Sequence, residues 1–237
     1  MPHSLTPRDQ LIVALDYPTA AAALALVDAL DGQCLWFKVG LELYLAAGAP
    51  IVTTLRQRGF NVFLDLKLHD IPNTVASAVR SVSSLGASLL TLHAAGGPAM
   101  LAAAAEAASA TPDAPTLLAV TVLTSMDNTQ LNSIGVPGTP ADQVLRLAHM
   151  AAAAGVPNLV CSSEELTALR RDLGPSPRLV VPGIRPTGAS TDDQQRIATP
   201  AAAIAAGASM LVVGRPITKA ANPAKAAEAI LHEISGL

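Results

Sequence analysis

Aromatic side chains are nearly missing from this sequence, which has three phenylalanines, two tyrosines and one tryptophan in 237 residues. So few rings leave little on which unpaired bases could stack, and no lysine-arginine cluster interleaves with them, so no nucleic-acid partner is expected. Charge is scarce as well. Lys, Arg, Asp and Glu make up 14% of the chain and the formal net charge is -3, so a few local cations must hold any anionic ligand. Only two cysteines occur, Cys34 and Cys161, each within an apolar run and without metal-ligand spacing. That excludes a disulfide framework and suits small buried hydrophobes in a reducing compartment. The amino-terminal residues lack the apolar core and cleavage pattern of a secretory signal, and the uncharged stretch 197–214 is interrupted by Pro200 and Gly207. A cytoplasmic protein without membrane contact is therefore expected.

What is present is apolar residues, at 51%, arranged in a recurring order. An alanine-rich helical stretch is followed by a glycine and then by a short apolar run with strand character. The pattern places Gly59 before 61–68, Gly86 before 88–93, Gly155 before 158–162 and Gly207 before 210–214. Each glycine suits the left-handed residue that ends a helix. Adding 11–16, 35–40, 117–123 and 178–183 gives eight strand candidates separated by helical segments. Alternation of this kind implies parallel strands with right-handed crossovers, and eight units in one chain fit a closed (β/α)8 TIM barrel spanning 1–237 as a single domain. The competing architecture is an open doubly wound sheet. No glycine-rich dinucleotide fingerprint follows the first strand, where Leu15-Asp16-Tyr17-Pro18 stands instead, which disfavours it. Two stretches after strands, 124–143 and 184–199, read as loops longer than connection requires.

In such barrels the working groups sit at the carboxyl ends of the strands. The run 61–68 alternates so that Phe63, Asp65 and Lys67 share one face, and Pro72 stops it. Asp16 ends the first strand and Lys38 lies near the end of the second, so charges of alternating sign meet at one mouth. A lysine held between carboxylates stays protonated and can deliver its proton to a carbanion forming beside it. Across the barrel, Gly183 stands at the end of strand seven, and Gly214 and Arg215 at the end of strand eight. Backbone N–H groups near glycine and a forked guanidinium there suit a phosphate. A metal site built from His69, His93 and Asp65 or Asp70 is disfavoured because Lys67 would repel a cation.

At these residues the chain resembles the bacterial-type orotidine 5'-phosphate decarboxylase family. The matching runs are Val-Ala-Leu-Asp16, Phe-Lys38-Val-Gly, Phe-Leu-Asp65-Leu-Lys67-Leu-His-Asp70-Ile-Pro-Asn-Thr74, Thr-Val-Leu-Thr124-Ser-Met, Val-Pro182-Gly-Ile-Arg185-Pro and Val-Gly214-Arg215-Pro. The resemblance implies a carbon-carbon lyase that converts orotidine 5'-phosphate to UMP and CO2, the last step of de novo UMP synthesis, with no metal or organic cofactor. It implies Lys67 as proton donor to C6 and Asp65 against the departing carboxylate. It further implies a homodimer in which Asp70, Ile71 and Thr74 reach the partner's site. By the same resemblance Asp16 and Lys38 hold the ribose hydroxyls, Thr124 meets the pyrimidine, and Pro182, Arg185, Gly214 and Arg215 lie on the phosphate side. Gln194, which directly follows Asp193, corresponds to the family's phosphate-binding glutamine, with Gln195 as the neighbouring choice. Three other readings remain at this stage: a metal-dependent sugar-phosphate lyase or synthase of the related Asp-x-Lys-x-x-Asp barrel group, a Schiff-base aldolase using Lys67, and a catalytically silent nucleotide-binding barrel.

Overall fold

The computed structural model describes residues 5–30, 32–186 and 198–236. Eight parallel strands close into a barrel in sequence order. They are β1 (Leu11–Ala14), β2 (Trp36–Gly40), β3 (Asn61–Leu68), β4 (Leu89–His93), β5 (Thr116–Val120), β6 (Leu159–Val160), β7 (Leu179–Val181) and β8 (Met210–Val213). Closure is made by β1 pairing with β8 as well as with β2.

Period-two alternation divides the buried residues into two cores. Outward-facing Leu11, Val13, Phe37, Val39, Val62 and Leu64 pack beneath the helices, whereas Ile12, Ala14, Trp36, Phe63, Leu89, Leu118 and Met210 fill the barrel interior. Two residues further along the inward-facing series, the chemistry changes. Trp36 is followed by Lys38, Phe63 by Asp65 and Leu89 by Thr91. The apolar floor and the polar mouth are thus successive layers of the same alternation.

The helices owe their positions to local signals. In Pro140–Ala153, Thr139 and Asp142 form a capping box and Pro140 supplies the fixed first residue. Val144, Leu147, Ala148 and Ala151 then bury one face at helical spacing. Truncating a buried leucine such as Leu147 to alanine costs about 2–5 kcal/mol where the surroundings cannot collapse. The four glycines expected to end helices, Gly59, Gly86, Gly155 and Gly207, have φ of 85°, 74°, 87° and 107°. No helix among the described residues is long and apolar enough to cross a membrane.

Several expectations need correction: the strands read over 11–16, 158–162 and 178–183 are the shorter Leu11–Ala14, Leu159–Val160 and Leu179–Val181, where the paired register ends. The strand read over 117–123 runs over Thr116–Val120, because after Val120 the chain leaves the ladder. The stretch 124–143 is not a plain loop. It holds the helix Asn128–Ser133, capped by Asp127 and Gln130, and the first turn of Pro140–Ala153. Of the stretch 184–199, the described ends pair, with Ile184 bridging Ala198 and the Arg185 amide donating to the Ala198 carbonyl at 2.9 Å.

Candidate active site

Two cavities open at the carboxyl ends of the strands. The first, about 260 Å³, has Lys38, Asp65 and Lys67 on one side and an apolar wall that includes Val122, Leu123, Val160 and Val212. The second, about 410 Å³, carries Asp16, Arg185, Gly214, Arg215 and Lys219. Lys38, Pro182 and Val212 border both, so the cavities adjoin.

The charged residues form a chain. Asp16 Oδ1 accepts from Lys38 Nζ at 2.9 Å, Lys38 Nζ lies 3.7 Å from Asp65 Oδ2, and Lys67 Nζ donates to that same oxygen at 2.8 Å. The second Asp65 oxygen, Oδ1, accepts from the Thr91 hydroxyl at 2.9 Å. Burial alone would raise the Asp65 pKa. The Lys38 and Lys67 charges and the hydrogen bonds from Lys67 and Thr91 outweigh it and hold the carboxyl below its ordinary value of 3.8. Asp65 is therefore an anion at neutral pH although only 9% exposed.

Local backbone features make this arrangement possible. Gly40 has no side chain where one is least tolerable: a Cβ there would stand 2.8 Å from Lys38 Nζ and 3.3 Å from Asp16 Oδ1. Lys67 has φ of 51°, one of two non-glycine residues at positive φ among those described. The β3–β4 ladder also shifts register, from Leu64 opposite Leu90 to Leu68 opposite Leu92, so β3 carries two more residues than β4 across the interval. An irregular strand bearing a charged side chain at positive φ is the kind of strain found where geometry serves chemistry.

The structure brings most of the sequence-expected residues to the two cavities. Asp16, Lys38, Asp65 and Lys67 form the charge chain, Thr124 and Pro182 line the first cavity, and Pro182, Arg185, Gly214 and Arg215 line the second. Asp70, Ile71 and Thr74 are exposed and line neither cavity; Asp70 Oδ1 accepts from the Ile71 amide at 2.6 Å. Gln194 lies outside the described residues. Sequence reasoning overlooked Thr91 and the apolar wall. Thr91 had a signal, being a polar residue at an inward position of an otherwise apolar strand. The wall had none, since Val122, Val160 and Val212 look like any strand residues.

His93, at the end of β4, faces the His69 ring with centroids 5.5 Å apart. Burial first, then the neighbouring His69 and Lys67 charges, lower its pKa below the ordinary 6.5, against a smaller opposing effect of Asp65. Both cysteines are buried. Burial pushes the Cys34 thiol up to about 11, against a smaller lowering effect of Arg8, while Cys161 borders the first cavity.

An apolar pocket with an ammonium fixed at its edge, joined to a pocket bearing two arginines, suits a flat ring carrying an anionic group at the other end. Similarity to known proteins agrees. The family model described as "Orotidine 5'-phosphate decarboxylase / HUMPS family" matches residues 9–230. A protein of Halorhodospira halophila named orotidine 5'-phosphate decarboxylase is 54% identical over 226 residues, covering 95% of this chain and 96% of that one. One of the same name from Nitrosococcus oceani is 50% identical over 230 residues, with 97% and 99% covered. The crystal structure of orotidine 5'-phosphate decarboxylase from Lactobacillus acidophilus superposes with a TM-score of 0.85 at 40% identity, covering 95% of this chain and 98% of that one. Fold, charge chain and similarity over nearly the whole length converge, and this chain belongs to the orotidine 5'-phosphate decarboxylase / HUMPS family.

Proposed function

We propose that this protein, acting as one barrel domain over 1–237, decarboxylates orotidine 5'-phosphate to UMP and CO2 in the cytoplasm, with Lys67 as the proton donor. The observation that carries the mechanism is the Lys67 ammonium, held 2.8 Å from a buried ionised Asp65 at the edge of an apolar cavity. Breaking the C6–carboxylate bond leaves its electron pair on C6 in an orbital poorly conjugated with the ring. Fixed positive charge beside C6 stabilises that pair as it forms, and transfer of the Nζ proton to C6 completes UMP; the neutral amine recovers its proton from water. Asp65, close to where the substrate carboxylate sits, disfavours that carboxylate and favours its departure as neutral CO2. Enzymes lower barriers by about 8–23 kcal/mol, and this reaction would need the upper part of that range.

Asp16 and Lys38 hold the ribose hydroxyls, Thr124 meets the pyrimidine, and Pro182, Arg185, Gly214, Arg215 and Gln194 serve the phosphate end. Phosphate binding far from C6 contributes free energy for assembling the charged site. In this reading Asp70, Ile71 and Thr74 complete the site of a second copy in a homodimer. Their exposure supports it, Ile71 being 67% exposed, as does the apolar surface of Leu41 and Leu45 one helical turn apart.

The direct test is the loss of orotidine 5'-phosphate absorbance with the purified protein, with and without EDTA. Turnover indifferent to EDTA is expected, whereas no turnover refutes the proposal, and EDTA-sensitive turnover of a keto-sugar phosphate would establish the metal-dependent lyase instead. The dimer is tested by mixing two inactive variants, K67A and D70A. Random pairing leaves one intact site in half of the dimers, so about one quarter of wild-type activity should return. If none returns, Asp70 serves its own chain.

A further inference from the structure

Thr91 is fully buried, on an inward-facing position of β4 between Leu89 and His93. Its hydroxyl oxygen accepts from the Lys67 backbone amide at 2.9 Å and donates to Asp65 Oδ1 at 2.9 Å. The directions are forced, because an amide N–H can only donate and an ionised carboxylate can only accept. One hydroxyl therefore links the backbone of the residue that carries the ammonium to the carboxylate that holds that ammonium. It does so across the interval 64–68, where the β3–β4 ladder shifts register and Lys67 takes φ of 51°. With Oδ1 committed to Thr91, Oδ2 is the oxygen that meets Lys67 Nζ at 2.8 Å and Lys38 Nζ at 3.7 Å.

We infer that Thr91 is a positioning residue of the decarboxylation reaction: its hydroxyl orients the Asp65 carboxylate and anchors the Lys67 backbone, fixing the ammonium relative to the reacting carbon. This role rests on the decarboxylase reading and adds to it a group that touches no reacting atom. A buried threonine that merely satisfied its own hydroxyl would be replaceable by alanine with loss of stability alone. A positioning threonine is not, because the cost falls on the transition state rather than on binding.

The test compares T91A with T91S, which differ only in the hydroxyl, beside the wild-type chain. For T91A, kcat should fall roughly 10- to 100-fold, the effect of one hydrogen bond to a charged group, while the dissociation constant of UMP stays within about threefold. T91S should recover kcat to within about fivefold. The acid limb of kcat/KM should move to higher pH in T91A and return in T91S, since the ionised Asp65 loses one donor. The charged or titratable groups around that carboxylate are Lys38 from β2, Lys67 from β3 and His93 from β4, and both variants keep all of them. Wild-type kcat and acid limb in T91A overturn the role, as do equal losses in T91A and T91S, or a loss confined to UMP affinity. If T91A does not fold, T91V makes the same comparison with side-chain volume retained. A wild-type chain that leaves orotidine 5'-phosphate untouched sinks the decarboxylase reading and this role with it; an active wild type beside an unaffected T91A sinks the role alone.

Discussion

Replacing Lys67 with alanine and, separately, with glycine tests the chemistry and the backbone at one position. Either change removes the ammonium 2.8 Å from Asp65. A positioned general acid contributes roughly 10²–10⁴ in rate and a preorganised electrostatic contact roughly 10²–10³, so each variant should lose at least about 10⁴-fold in turnover. Stability should separate them. Leaving a buried charge wholly unpaired costs about 3–5 kcal/mol, but Asp65 keeps Lys38 at 3.7 Å and the Thr91 hydroxyl, so about 1–3 kcal/mol is expected. Alanine must still adopt φ of 51°, at about 1–2 kcal/mol, from which glycine is exempt. Glycine's larger unfolded-state entropy returns about 0.5–1 kcal/mol, leaving K67G the more stable by about 0.75 kcal/mol at mid-range. In urea, with a slope of about 3 kcal/mol/M, that is a midpoint about 0.2–0.3 M higher. Trp36, the single tryptophan, lies buried in the barrel floor and supplies the fluorescence signal. A K67G midpoint at or below that of K67A would refute the strain, and near-normal turnover by either variant would remove Lys67 from the mechanism.

Two further outcomes follow from the same site. Gly40 has φ of -90°, which alanine adopts freely, yet a Cβ there would meet Lys38 Nζ at 2.8 Å; G40A should lose roughly 10-fold in kcat with an almost unchanged Tm, and full activity would show that the array tolerates displacement. Because burial and neighbouring charges depress the His93 pKa, the unfolded chain takes up this proton first as pH falls below 6.5, so stability is present above 6.5 and lost below it as pH falls toward the depressed value. H93Q should flatten that loss in urea titrations between pH 6.5 and 5, and a slope equal to wild type would contradict the assignment.

The barrel was legible because its signals are local. Period-two runs, helix-ending glycines and capping residues each act over a few positions, and the expected run 61–68 is the observed β3. The charge chain was legible for a related reason, since Asp65 and Lys67 break an apolar pattern where burying a charge demands a partner. What escaped depends on the third dimension. Thr91 gains its role from a bulge in the neighbouring strand, and no periodicity announces a register shift. The cavity wall beyond Val120 arises because the chain departs from the ladder, which left the strand shorter than its apolar composition suggests. The helix at Asn128–Ser133 was hidden by its polar residues, although Asp127 and Gln130 spelled its cap. Ile71 and Thr74 were singled out only through resemblance, as nothing in their spacing marks a residue for a second chain, whereas Asp70 stood out as a second carboxylate beside Lys67.

The register shift in β3 also bears on redesign. A protein engineer regularising this barrel would delete two of the three residues between Leu64 and Leu68, restoring the ladder and removing the positive-φ position, each step favouring stability. The product would keep its scaffold but lose Asp65, Lys67 or both, since only Leu66 lies between them, and with them the contacts to the Thr91 hydroxyl. In this chain the departure from the ideal barrel is where selection for turnover has overruled selection for stability.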